Sequence, residues 1–227
     1  MIVCELMYLA VHTVPSIAYA VSCLARYMTN ATAAHYAHAK HVLRYFKGVK
    51  TRKIRWCAAH VRYPLKACEL CAFADSSWAD DKPSRKSTYS YMLFCNNAAF
   101  SWKSSLASIL ALSTSEAELI AVCACAQEVI YCRKLATELG FPQVAPTRVY
   151  EDNHGAICLA ENGHFKGRTK NVHLRWGFVS DCFDQRILRL VPCPSAELAD
   201  SGTAERAHPA FKVADAVITV DWHRTHR

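Results

Sequence analysis

Four carboxylates, Asp75, Glu118, Asp152 and Asp200, lie in four separate segments of a 227-residue chain. Each sits in a strand-end or helix setting that can aim it at a common point. Carboxylates gathered at one point repel unless a cation is bound among them, and their oxygens suit hard divalent cations. The chemistry such a quartet can do is two-metal phosphodiester hydrolysis, in which paired ions activate water and stabilise the leaving oxygen. The chain around the acids is basic: 27 Lys and Arg stand against 19 Asp and Glu, a formal charge of +8. A basic surface attracts a polyanion, and an acidic centre recruits the metals.

Local context separates the functional acids from their neighbours. Ser113 followed by Glu116 reads as a capping box at the start of a long helix, which gives Glu116 a structural role. Glu118, flanked by Leu119 and Ile120, has no such role. Asp75 and Asp152 each end a strand; the alternatives for them are a turn residue and a helix N-cap. Asp200 falls late in a short helix, where a carboxylate opposes the helix dipole, so stability does not explain it.

The positive charge is clustered. Lys40, Arg44, Lys47, Lys50, Arg52, Lys53 and Arg55 follow one another with no acid between, and Lys166, Arg168, Lys170 and Arg175 form a second group. Either is compatible with a solvated helix face; two in one chain favour phosphate contacts. The 12 cysteines do not read as a disulfide scaffold. Cys123, Cys125 and Cys132 lie in apolar runs where cysteine behaves as a small hydrophobe, and Cys68 and Cys71 have no second pair at zinc-site spacing. Reduced thiols point to an intracellular protein, cytoplasmic or nuclear and not secreted. The apolar stretch 2–24 is broken by Glu5, His12 and Pro15 and lacks a basic leader, so neither a signal peptide nor a membrane span is expected.

The elements that must position the acids follow from periodicity. The first 50 residues read as helices: Pro15 opens one carrying Ile17, Ala20, Val21, Leu24 and Met28, and Asn30 or Thr32 caps the next, which Gly48 ends. Residues 67–75 read as a buried strand. Strands over 88–95 and 98–103 are joined at Asn96-Asn97, and a helix follows from about Ser113 to Leu139, closed by Gly140. A strand over 148–152, a helix from near Asn153, a strand over 186–191 and a last short helix capped by Ser195 complete a mixed α/β sheet domain. The domain boundary is expected between about residues 50 and 66.

Several motifs in series then carry a resemblance. They are Asp75-Ser76-Ser77-Trp78-Ala79-Asp80-Asp81, Arg85-Lys86-Ser87-Thr88, Ser101-Trp102-Lys103-Ser104 and Ala111-Leu112-Ser113-Thr114-Ser115-Glu116-Ala117-Glu118. Further on come Glu151-Asp152-Asn153-His154-Gly155-Ala156-Ile157, Arg168-Thr169-Lys170 and Leu198-Ala199-Asp200. In this order they resemble the ribonuclease H domain of copia-type retrotransposon polyproteins. Tyr8-Leu9-Ala10, Ile17-Ala18-Tyr19-Ala20-Val21 and Leu43-Arg44-Tyr45-Phe46-Lys47-Gly48 resemble the reverse transcriptase tail that precedes it.

The resemblance implies a ribonuclease H-like mixed sheet with flanking helices, preceded by a small helical segment. Residues 1–56 would be the helical remnant of the thumb or connection region, 67–200 the ribonuclease H-like domain and 201–227 a divergent tail. It further implies an enzyme that cuts the RNA strand of RNA–DNA hybrids with two Mg2+ ions (Mn2+ as substitute), within a reverse-transcription polyprotein. The family's acids map onto Asp75, Glu118, Asp152 and Asp200, with Asp75 bridging the metals. Lys103, Lys47, Lys50, Arg52 and Lys53 are the candidates for nucleic-acid contacts. The chain departs from the family at Ser77, where an acid is usual, at Asn171-Val172-His173, and from Ser201-Gly202-Thr203 onward. These departures support an alternative: an inactive nucleic-acid-binding or structural remnant. Trp78-Ala79-Asp80-Asp81 echoes a polymerase motif, but the chain before it is too short for a polymerase palm.

Overall fold

The computed structural model describes residues 2–51, 54, 56, 68–96, 98–161 and 170–193. Helix α1 (Ile2–His12) is followed by a 3-10 turn at Pro15–Ile17, α2 (Ala18–Ala25) and α3 (Ala33–Val49). Then come β1 (Leu70–Ser77), β2 (Thr88–Cys95), β3 (Ala98–Leu106), α4 (Thr114–Glu138), β4 (Thr147–Glu151), α5 (His154–Glu161), α6 (Lys170–Asp184) and β5 (Leu188–Pro192). The five strands form one mixed sheet in the order β3-β2-β1-β4-β5. Strands β1 to β3 are antiparallel neighbours, whereas β4 pairs parallel with both β1 and β5. This is the mixed sheet with flanking helices that the sequence led us to expect.

Alternation along β1 divides the core in two. Leu70, Ala72 and Ala74 pack with α4 residues such as Leu119, Val122, Cys125, Ala126 and Val129. Cys71 and Phe73 point the other way and pack with Leu6, Ala10, Ile17, Val21, Ala39 and Val42 of the N-terminal helices. A two-sided apolar strand of this kind must be covered on both faces, and here a different helical layer covers each. The N-terminal helices are also tied to the sheet by polar contacts. Trp102 Nε1 donates to the Ala10 carbonyl at 2.7 Å, the Tyr19 hydroxyl to Asp80 at 3.2 Å, and Arg26 pairs with Asp81 at 2.9 Å. Asp80 also accepts from the Thr88 backbone N–H and hydroxyl. Both acids of the polymerase-like motif therefore brace the loop between β1 and β2.

Most element ends follow their residues. Thr32 caps α3 by accepting from the His35 N–H, as one of the two expected candidates. Ser113 caps α4, and Gly140, at φ +86°, closes it with the Phe141 N–H reaching the Ala136 carbonyl at 2.8 Å. Several boundaries differ from expectation, β1 among them, which begins at Leu70 rather than at 67 and runs on to Ser77 rather than ending at Asp75. α2 stops at Ala25, which leaves Met28 exposed beyond it; α3 runs through Gly48 to Val49; and β3 extends to Leu106 rather than ending at Lys103. Helix α6 was not anticipated. Its sequence contains Gly177 and few strong helix formers, so its stability comes from packing Val179 and Cys182 against the α4 side of the sheet. The expected boundary near 50–66, the helix before Asp200 and the 201–227 tail lie largely or wholly outside the described residues.

The described cysteines are free thiols, with Cys123, Cys125 and Cys132 buried on α4 as small apolar side chains. No helix among the described residues is long and apolar enough to cross a membrane.

Candidate metal centre

Strand β1 is central in the sheet, and its apolar run gives way at Asp75 to Ser76 and Ser77. Its parallel neighbour β4 pairs Phe73 with Tyr150. Carried two residues further, that register sets Asp75 beside Asp152. Parallel strands bring equivalent ends together, so two acids 77 positions apart in sequence meet at one sheet edge.

The capping job falls to Asn153 and not to Asp152. The Asn153 side chain accepts from the Ala156 N–H at 3.1 Å as α5 begins. Gly155 lets that helix start lie close against α4. A Cβ there would meet the Ser115 hydroxyl oxygen at 2.8 Å and the Asn153 cap oxygen at 3.0 Å. The close approach holds the β4–α5 corner one turn from Glu118.

On α4, Glu116 and Glu118 divide as expected. The Glu116 N–H donates to the Ser113 hydroxyl at 3.2 Å, and its carboxylate accepts from the Leu112 N–H at 2.7 Å. Glu116 thus reaches back one residue beyond the cap, a variant of the reciprocal box that satisfies the same kind of orphan donor. Glu118 instead points inward and is buried with Ala117, Leu119 and Ile120.

Asp75, Glu118 and Asp152 offer carboxylate oxygens that all lie within 4.8 Å of one another. Burial pushes the Glu118 carboxyl up to about 8, opposed by Ser76 beside it and reinforced by the negative charge of Asp152. Its Oε2 is buried with no hydrogen-bond partner among the described residues. Groups tuned this way cluster where a protein handles charge. An all-oxygen, anionic, partly unsatisfied set fits a hard divalent cation and not a soft one.

The structure also reveals an acid that the sequence reading missed. Glu151, the last residue of β4, is fully buried, at 0 % exposure. Burial raises its carboxyl well above the usual range, and the charges of Glu118, Asp75 and Asp152 act in the same direction. The signal was present in the sequence: Val149 and Glu151 alternate onto one face of a buried strand, so an acid at 151 must face the core.

The predicted basic contacts divide. Lys103 stands exposed on β3, with its ammonium 5.9 Å from the Tyr89 ring centroid. It alternates with Trp102, which faces the N-terminal helices, and so stands on the α4 face of the sheet. Lys47 and Lys50 are exposed at the end of α3, in the helical layer across the sheet, and are not brought to the acids. Arg52, Lys53 and Asp200 lie outside the described residues.

No family model matches the chain. Curated relatives do: it is 32% identical over 193 residues to the retrovirus-related Pol polyprotein from transposon TNT 1-94 of Nicotiana tabacum, covering 85% of this chain. It is likewise 32% identical over 212 residues to the Pol polyprotein from transposon RE1 of Arabidopsis thaliana, covering 93%. Over most of its length the chain is homologous to retrovirus-related Pol polyproteins of plant transposons. It spans only 14% of the length of either Pol relative. Among solved structures, LC11-RNase H1 in complex with an RNA/DNA hybrid aligns over 64% of this chain and 99% of its own, at 12% identity and a TM-score of 0.43.

Proposed function

We propose that this Pol segment cleaves the RNA strand of RNA–DNA hybrids by metal-dependent phosphodiester hydrolysis, as the ribonuclease H part of a retroelement polyprotein. The observation that carries the reading is the meeting of Asp75, Glu118 and Asp152 within 4.8 Å. These three would hold the divalent cations, Mg2+ or Mn2+, and Asp200 is the fourth acid implied by the resemblance. When bound, the cations supply an activated water and charge stabilisation for the departing 3′-oxygen.

The chain's own residues do the rest. Asp75, level with Asp152 at the sheet edge, and Glu118, presented from α4, fix their oxygens on rigid elements, so little reorganisation accompanies the reaction. The apolar floor of Ala72, Ala74, Leu119 and Val149 keeps water out from below. Lys103, on the α4 face with Glu118, contacts a backbone phosphate, while selectivity for the RNA strand comes from 2′-hydroxyls read across the minor groove. Partners beyond the hybrid would be the remaining parts of the polyprotein.

The second reading, a non-catalytic hybrid-binding remnant, is favoured by Ser77 and by the altered sequence from Ser201. A labelled hybrid incubated with the full chain and Mg2+ separates the two. The enzyme cuts the RNA strand, EDTA stops it, and Asp75→Asn lowers the rate more than about 100-fold, since even partners of metal ligands are worth ~10–100-fold. A folded protein that binds the hybrid with a steep salt dependence, yet never cuts it in Mg2+ or Mn2+, is the remnant.

A further inference from the structure

Glu151 has no counterpart among the four acids expected from the sequence, and its surroundings are not those of a structural carboxylate. It is wholly inaccessible at the end of β4. Its Oε1 accepts from the Asn153 N–H at 3.1 Å, which turns the carboxyl toward the corner that carries Asp152. Its Oε2 is buried without a hydrogen-bond partner among the described residues. The charges acting on it are those of Glu118, Asp75 and Asp152, in that order, and all are negative. The cation nearest in sequence, Arg148, is an odd number of residues away on the strand, so it alternates onto the opposite face, where it pairs with Glu69 at 3.2 Å. A buried carboxyl with a bare oxygen and like charges beside it either keeps its proton or is held by a cation.

We propose that Glu151 is a further ligand of the divalent-cation centre, contributing Oε2 from the inner side of the site, where Glu118 also leaves an oxygen bare. The inference rests on the reading of Asp75, Glu118 and Asp152 as a metal centre. Within the described residues it brings the carboxylates to four.

Mn2+ is the probe, titrated into the metal-free full chain and followed by calorimetry and by the free-ion spin resonance signal. Wild type, Glu151→Gln, Glu151→Asp and Asp75→Asn are compared, with circular dichroism and melting confirming folding. Glu151→Gln keeps the shape, melts no lower than wild type without metal, and either binds one ion fewer or binds about 10-fold more weakly or worse. Glu151→Asp keeps the charge, loses one methylene of reach, and falls between. Unchanged Mn2+ number and affinity in both Glu151 variants, with binding lost in Asp75→Asn, overturns this inference alone. No Mn2+ binding by wild type overturns it together with the functional reading beneath it.

Discussion

Two faces of one sheet are built from alternate residues of the same strands, and they end differently. Toward the N-terminal helices, Cys71 and Phe73 of β1 meet Met92, Phe94 and Tyr150, with the Phe73 ring stacked on Tyr150 at 4.8 Å and edge-on to Phe94 at 5.5 Å. Toward α4, Ala72 and Ala74 pack with Leu93, Leu119, Val122 and Val129, and the layer runs out into Glu118 and Glu151 with bare buried oxygens. One face gathers aromatic area and closes it with bonds such as Trp102 to Ala10. The other, apolar through Leu93, Leu119, Val129 and Leu188, gathers like-charged acids at its end. Both faces bury large apolar side chains, and only the second also buries acids at its end, a local cost that the rest of a marginally stable fold must absorb.

The comparison breaks most easily at Phe73, which is 1% exposed. Phe73→Ala removes a ring from the first face and costs about 3–5 kcal/mol in urea unfolding, while leaving hybrid cleavage by the folded fraction intact. Equal loss of cleavage per folded molecule would show that the faces are not separable. The opposite signature belongs to Asp75→Asn, which spares stability and abolishes cleavage.

A pH series sharpens the contrast. The Glu118 carboxyl has an ordinary value of 4.5 and is pushed up to about 8 in the fold. Between those values the folded chain keeps a proton that the unfolded chain has released. Stability of the metal-free protein is therefore highest at the acid end of this window and falls as pH rises toward 8, by up to roughly 1.4 kcal/mol per pH unit for one such group. Glu151 acts in the same direction. Urea midpoints in EDTA at pH 5 and pH 7.5 measure the fall, and Glu118→Gln flattens it. The smallest effect is at Trp102→Phe, where the aromatic area stays and the bond to the Ala10 carbonyl is lost, at about 1 kcal/mol with cleavage unchanged.

Much of this was legible in the residues. Apolar runs bounded by turn residues marked β1 to β5, and Ser113, Gly140 and Thr32 marked helix ends, because caps and turns are local chemistry. The choice of Glu118 over Glu116 followed from the same logic, since a cap that occupies one acid leaves the other to be explained. Asp152 was harder. Its own capping potential competed with the metal-site reading, and the Asn153 side chain, seen bonded to the Ala156 N–H, takes the cap instead. Helix α6 escaped because Gly177 and its scattered apolar positions carry a weak period, and packing on α4 supplies what propensity lacks. The separation of Lys47 and Lys50 from the acids was invisible, because which helical layer covers which face is a long-range matter. Glu151 was overlooked beside the acid that follows it, although strand alternation already placed it inward.

The central claim is that Asp75, Glu118 and Asp152, remote in sequence, share one cation-binding point. Anomalous diffraction from crystals of the full chain soaked in Mn2+ tests it most directly. The account predicts anomalous density between those three carboxylates, absent in Asp75→Asn crystals treated the same way. Density confined to other surfaces, with the three side chains turned away from one another, would contradict it.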